Sequence, residues 1–295
     1  MLRLIYAKAQ AVLECLHSNK ATLATLKTSF QGREDGYIMT EKETRRKRGL
    51  NGNTLRVVGM AFVFAGIVGR GVIQTHMLGM KGVNSAELLN IMENAPNAMM
   101  LTTFSIILQI LETCAIPIFA MLLVVGMQNT SDFKTYFQRV LGLALVSEIP
   151  YNLAFSGKLF DFGGRNAVWG VLLSLFMLYL FERFEDEEKK RRLLKFFIVI
   201  VTFLWCQMLK VDHGAALVIL VSILWAFRKK EIFLNFVGAT AAMICSLISP
   251  FYLASPMGFL AVHSYNGVKS TNTHKYNYLM YPVLLLIGWA FGVLL

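Results

Sequence analysis

An all-α fold, a polytopic integral membrane helical bundle with 8–9 transmembrane helices, is what this sequence predicts, and three observations predict it. Apolar residues make up 56% of the chain and charged ones 16%, at a mean hydropathy of +0.54; a soluble domain is nearer half apolar and a quarter charged. Apolar runs of membrane-spanning length recur from Val57 to the end, and in lipid only helices or closed barrels satisfy the backbone. The basic residues crowd at one set of run ends, as they do in membrane proteins of fixed orientation.

The elements follow in order. Residues 1–53 differ from everything after them. Met1 to Ser18 reads as an amphipathic helix with Leu4, Ile5, Ala9, Val12, Leu13 and Leu16 on one side. Lys8, Gln10 and Glu14 interrupt it, and a basic segment follows where a secretory signal has a small-residue cleavage site. The run Glu41-Lys42-Glu43-Thr44-Arg45-Arg46-Lys47-Arg48 sits beside the first span, where basic side chains hold a cytoplasmic end against anionic lipid. Asn51-Gly52-Asn53 marks the break. The chain thus divides into a cytoplasmic segment, 1–53, and a membrane domain, 54–295.

Span one covers 55–80, with Arg70 near its middle and Gln74, Thr75 and His76 toward its far end. A loop at 83–97 carries a short amphipathic helix with Leu88, Leu89, Ile91 and Met92. Span two, 99–127, is interrupted by Glu112 and kinked at Pro117. The polar turn Gln128 to Asp132 closes it, and span three, 133–154, ends on Ser147-Glu148-Ile149-Pro150-Tyr151-Asn152, with Pro150 disrupting the helix. A glycine-rich loop, 156–165, leads into span four, 166–184. Spans five (193–209) and six (213–227) are joined through Lys210, Val211 and Asp212, and span seven is 232–249. Pro250 and Pro256 punctuate an apolar segment, 251–265, which is an eighth span if it crosses; 277–295 is the last.

With the N-terminus cytoplasmic, inner segments hold 24 of the 29 Lys and Arg residues. Outer ones hold Lys81, Lys158, Arg165 and Lys210, and Arg70 lies within span one. The net charge of +11 is then a matter of topology and membrane lipid, not of a nucleic-acid surface. Four cysteines (Cys15, Cys114, Cys206, Cys245) form no CxxC pair, and five histidines lack HxxxH or HxH spacing. A disulfide framework and a metal site are therefore not expected.

This topology brings polar groups from several spans to one level near the outer rim: His76 from span one, Glu148 and Asn152 from span three, Arg165 and Asn166 from span four, Asp212 and His213 from span six. Snorkelling and capping explain each alone. Together they mark a polar site, because ionisable groups at such depth are by default functional. Deeper, Arg70 and Glu112 have opposite signs at similar depth, and a lone charge there costs about 2.5–3.5 kcal/mol. They form a neutralising ion pair or face a polyanionic ligand. His76 is either a core histidine hydrogen-bonded to a neighbouring helix or a reactive one.

Pro117-Ile118-Phe119-Ala120, the polar turn, and Ser147-Glu148-Ile149-Pro150-Tyr151 with Asn152 resemble the signature of the TraX family. These are multi-span membrane proteins named for the F-pilin N-terminal acetylase and related to the wider transmembrane acyltransferases. The resemblance covers about residue 54 to the end and is densest over 116–155. It implies a membrane-bound O- or N-acyltransferase that takes acetyl-CoA as acyl donor, uses no metal, and acts on a pilin-like protein or an envelope glycan. The family's first span carries an Asp-His pair; here the position reads Thr75-His76, so Glu148 or Asp212 is expected to orient His76 from another helix. Asp212-His213-Gly214 resembles the family's Asp-aromatic-Gly element. Tyr265-Asn266-Gly267 and Tyr281-Pro282 resemble its C-terminal tract, with Leu284 where the family has a histidine. The implied catalytic residues are His76, Glu148 and Asp212. The implied binding residues are Arg70 (toward donor phosphates), Glu112, Ser147, Asn152, Arg165, Asn166 and His213.

Two other readings fit the same residues. One is a transporter or permease-like protein with helices broken at Pro117, Pro150 and Pro250, although no GxxxxGK[ST] motif is present. The other is a family member that kept the fold and lost catalysis. The topology itself is testable: cysteines placed at Ser18 and Glu187 are expected to resist membrane-impermeant thiol reagents applied to intact cells, and labelling of either from outside reverses the orientation.

Overall fold

The computed structural model describes residues 49–80, 97–184, 188–228, 231–266 and 276–295. The expected N-terminal amphipathic helix, the basic run and the loop helix at 83–97 lie outside these residues. The chain divides into two units, Met1–Gly49 and Leu50–Leu295; the second is described below.

Its helices begin and end where local chemistry dictates. Asn51 caps α1 (Gly52–Gly66), its side chain accepting from the Thr54 amide at 2.8 Å. The helix runs on into a π-helical stretch, Ile67–Met77, whose wider winding ends with the Leu78 amide donating to Ile73 O. Next come α2 (Ala98–Glu112) and α3 (Ala115–Gln128), separated only by Thr113 and Cys114. The break expected within span two is therefore real and lies at Thr113–Cys114, with Pro117 in the first turn of α3, where its missing N–H costs nothing. Asp132 caps α4 (Phe133–Ser156), and the Thr135 hydroxyl and amide hold its carboxyl below the usual range. Gly157 closes α4 in the left-handed region, φ 63°. Pro150 does not disrupt this helix, contrary to expectation: α4 runs through it for six more residues.

The remaining helices among the described residues are α5 (Val168–Arg183), α6 (Glu188–Met208), α7 (Gly214–Phe227), α8 (Glu231–Ile244), α9 (Gly258–His263) and α10 (Tyr276–Leu294). No strand occurs among the described residues. Segment 251–265 is not one membrane-length helix. It is a 3₁₀ stretch, Pro250–Met257, followed by the six residues of α9. At about 2.0 and 1.5 Å of rise per residue this falls short of a ~30 Å hydrocarbon core.

The core centres on α7, which packs against α3, α5, α6 and α8. Nine of its fourteen residues are buried, from Gly214 to Trp225. α10 lies along α4 and the π-helical stretch. Two isolated parallel bridges tie the ends of the bundle. Leu50 pairs with Tyr265 below α1, and Arg165 pairs with Val211 beside the start of α7. Among the described residues two helical stretches, Gly52–Met77 and Ala98–Gln128, are long and apolar enough to cross a membrane; Gly214–Phe227, Phe236–Leu247 and Tyr278–Leu294 are apolar but shorter. Large apolar side chains stand exposed in stripes, such as Met99, Met100, Phe104, Ile107 and Leu111 on α2 and Phe196, Phe197, Ile200, Leu204 and Trp205 on α6. Exposure on this scale fits a lipid-facing surface and not a water-facing one.

Gly258 seats α9 against α3: a side chain there collides with Cys114 O and the Pro117 ring. Gly142, on α4, faces open space. Gly258→Ala is expected to lower the thermal midpoint in detergent, by about 1–3 kcal/mol of overpacking. Gly142→Ala should raise it slightly, by about 0.4–1 kcal/mol.

Candidate functional site

Three elements meet around Arg70. The π-helical stretch carries Arg70 itself, the end of α2 carries Glu112, and the turn before α7 carries Asp212 and His213. The Arg70 guanidinium grips Asp212 with both terminal nitrogens, Nη1 to Oδ1 at 3.1 Å and Nη2 to Oδ2. Its flat face lies 4.0 Å from the Phe155 ring centroid. Tyr151 Oη reaches Asp212 Oδ2 at 3.5 Å. His213 Nε2 stands 3.6 Å from Glu112 Oε1 and 3.7 Å from Asp212 Oδ1, while Nδ1 is 3.2 Å from Tyr252 Oη.

Backbone geometry makes the convergence possible. Lys210 and His213 take positive φ, 49° and 54°, a strained choice for residues with side chains. Gly214 follows because a Cβ there would come within 2.9 Å of the Val211 side chain. Gly170 on α5 is needed too: its Cβ would meet Gly214 Cα at 2.9 Å, so α5 and α7 cross backbone to backbone. The Glu112 carboxyl lies over Gly66, where any side chain would displace it.

Glu148 heads a second polar group. It accepts from Arg165 Nη1 at 2.8 Å, from Asn166 Nδ2 and from Trp169 Nε1 at 3.1 Å. Asn166 is fully buried and also donates to Ala144 O at 2.9 Å. The two groups are linked through the backbone: the Arg165 amide donates to Lys210 O, and the Asp212 amide donates to Arg165 O at 3.0 Å. Glu148 thereby fixes Arg165, whose main chain fixes Asp212.

Two cavities adjoin the Arg70 cluster and share Arg70, Glu112 and His213 as a common wall. The first, about 70 Å³, is otherwise mostly apolar, lined by residues such as Val63, Ile67, Phe119, Val171 and Leu217, with Asp212 and Tyr281. The second, about 150 Å³, is lined by Gln109, Ser249, Phe251 and Tyr252 beside the shared residues. Arg70 Nε is buried and has no hydrogen-bond partner among the described residues.

Several expectations are met by different partners. Arg70 pairs with Asp212 and not with Glu112, which instead faces His213. Arg70 is bound bidentately by Asp212 and stacked on Phe155. Glu148 and Asp212 are engaged as above, and the His76 ring lies against α10, where a Cβ on Gly292 would come within 2.5 Å of Cδ2. Ser147 is fully buried, and Asn152 donates to Leu159 O at 3.4 Å, apart from both cavities. No group of three or more His, Cys, Asp or Glu suited to a metal occurs among the described residues. The sequence reading passed over Tyr252 and Trp169, and used Tyr151 and Tyr281 only as motif positions. A tyrosine two residues after Pro250, and one following the Glu-Ile-Pro triplet, were the available signals.

A family model described as TraX protein matches residues 96–292. No curated protein and no solved structure matches the chain. The matched stretch contains every site residue named above except Arg70, Thr75 and His76 and the first-helix lining of the apolar cavity. The paired charges are expected to be strongly interdependent. Arg70→Met alone should destabilise the purified protein by roughly 3–5 kcal/mol, because it leaves Asp212 buried and uncompensated. Arg70→Met with Asp212→Leu should recover most of that loss, as read by thermal unfolding in detergent.

Proposed function

The chain belongs to the TraX family, and on that premise we propose that it is an integral membrane acyltransferase that moves an acetyl group from acetyl-CoA to an acceptor such as a pilin-like protein or an envelope glycan. The observation that carries this reading is the wall of Arg70, Glu112 and His213 shared by an apolar and a more polar cavity. Acyl transfer needs such an arrangement: an apolar niche for the acyl thioester, a wetter one for the nucleophile, and a base between them.

His213 is the base in this proposal. Its imidazole lines both cavities, and two carboxylates lie within 4 Å of Nε2 to stabilise the imidazolium formed during reaction. Arg70 Nε–H, buried without a partner among the described residues, is the donor for the oxyanion that develops on the thioester carbonyl. Glu148 acts at one remove, by holding Arg165 and through it Asp212. His76 serves packing against α10 in this scheme. A multi-pass topology with a cytoplasmic N-terminus belongs to the same proposal, since it gives the cytoplasmic donor and the external acceptor opposite approaches to one wall.

The test is release of CoA thiol from acetyl-CoA by the purified protein in lipid nanodiscs. The unmodified protein should turn over, and His213→Ala should lose about 10²–10⁴-fold in kcat. His76→Ala should keep most activity. Absence of thiol release and of acetyl incorporation, together with solute flux in proteoliposomes, would replace this reading with the transport one.

A further inference from the structure

His213 offers its two ring nitrogens to different surroundings. Nε2 faces Glu112 Oε1 and Asp212 Oδ1, at 3.6 and 3.7 Å. A bare lone pair pointing at two carboxylates is repelled by both, so Nε2 carries a hydrogen in the neutral ring as well as in the cation. The basic lone pair of the neutral ring then belongs to Nδ1. The neighbour of that nitrogen, at 3.2 Å, is the Tyr252 hydroxyl. The tyrosine ring meets the imidazole edge-on and lies on the wall of the polar cavity, whereas it is absent from the wall of the apolar one. A nucleophile in the polar cavity therefore reaches the basic nitrogen by way of the tyrosine oxygen.

We propose that Tyr252 is a catalytic residue, the proton relay between the acceptor in the polar cavity and Nδ1 of His213. This rests on the acyl-transfer reading. The acceptor's O–H or N–H proton passes to Tyr252 Oη as the tyrosine's own proton passes to Nδ1. The acceptor's freed electron pair forms the bond to the thioester carbonyl carbon. The tetrahedral intermediate collapses, the C–S bond breaks, and its electron pair leaves on sulfur. The imidazolium returns its Nδ1 proton through Tyr252 Oη to water in the polar cavity, and the departing CoA thiolate is protonated by solvent, restoring neutral His213 and intact Tyr252. Glu112 and Asp212 flank Nε2 and stabilise the transient cation. Tyr252 is held for the task by the 3₁₀ stretch after Pro250, its amide bonded to Ser249 O at 3.0 Å.

The experiment combines kinetics and spectroscopy on the full chain in nanodiscs, with acetyl-CoA as donor and water in the acceptor's place. Tyr252→Phe keeps the ring and removes the relay. It should lower kcat by about 10²-fold, leave the acetyl-CoA KM within about twofold, and turn a curved dependence of rate on deuterium fraction into a linear one. In ¹⁵N-histidine spectra, His213 (assigned by loss of its signals in His213→Gln) should show a pyridine-type Nδ1 and a pyrrole-type Nε2. A Tyr252→Phe enzyme with unchanged kcat, or a neutral His213 protonated at Nδ1 with Nε2 bare, overturns the relay. Should Tyr252→Phe fail to fold, the tautomer in the unmodified protein decides alone. If the unmodified protein releases no thiol yet shows the assigned tautomer, the acyl-transfer reading falls and the hydrogen-bond assignment for Tyr252 stands.

Discussion

A buried ion pair, Arg70 with Asp212, is the interaction on which the rest of this bundle depends. A guanidinium midway along a membrane-length helix is costly unless its charge and its fork of donors are met. Asp212 meets both, bidentately, and Phe155 covers the open face. Because the geometry is that of a fork, the pair fixes the rotation of the first helix as well as its depth. Asp212 is fixed in turn by its amide bond to Arg165 O, and Arg165 by Glu148. The site is therefore held by a run of polar contacts through the first helix, α4, the loop before α5 and the turn before α7. Such a run contributes registration of the helices more than net stability.

Small residues let the polar groups come close. Gly170 and Gly214 allow α5 and α7 to touch backbone to backbone, and Gly66 leaves room for the Glu112 carboxyl. The π-helical winding from Ile67 to Met77 adds a second adjustment, since a widened turn re-aims the side chains that follow it. Arg70 lies within that winding, and strained or unusual helical geometry at an ionic cluster is where functional constraint shows most plainly.

Much of the architecture was legible because it is local. Asn51 and Asp132 announce helix starts, Gly157 a helix end, and the charge and hydropathy pattern announces the membrane. Depth was legible only in part: Arg70 and Glu112 do share one cluster, but Asp212 and His213, expected at a shallower level nearer the outer rim, join them there. Azimuth was not. Opposite charges at matching depth made Glu112 look like the partner of Arg70, yet the rotation of each helix, set by long-range packing, gave that place to Asp212. Pro150 misled for a related reason. A proline removes one helical bond, but side-chain burial on both sides of it, at Ser147 and Asn152, carries the helix onward. Tyr252 was hidden because a tyrosine in an apolar run is, by composition, indistinguishable from core.

The first partner of the central pair is made long before the second, for 142 residues separate Arg70 from Asp212. At about 5–20 residues per second of synthesis, Arg70 waits roughly 7–28 s in the nascent chain before its counter-charge exists. Glu112, which ends up nearby facing His213, emerges 100 residues before Asp212, so of the two carboxylates in the cluster the order of synthesis presents Arg70 first with the one it does not pair with.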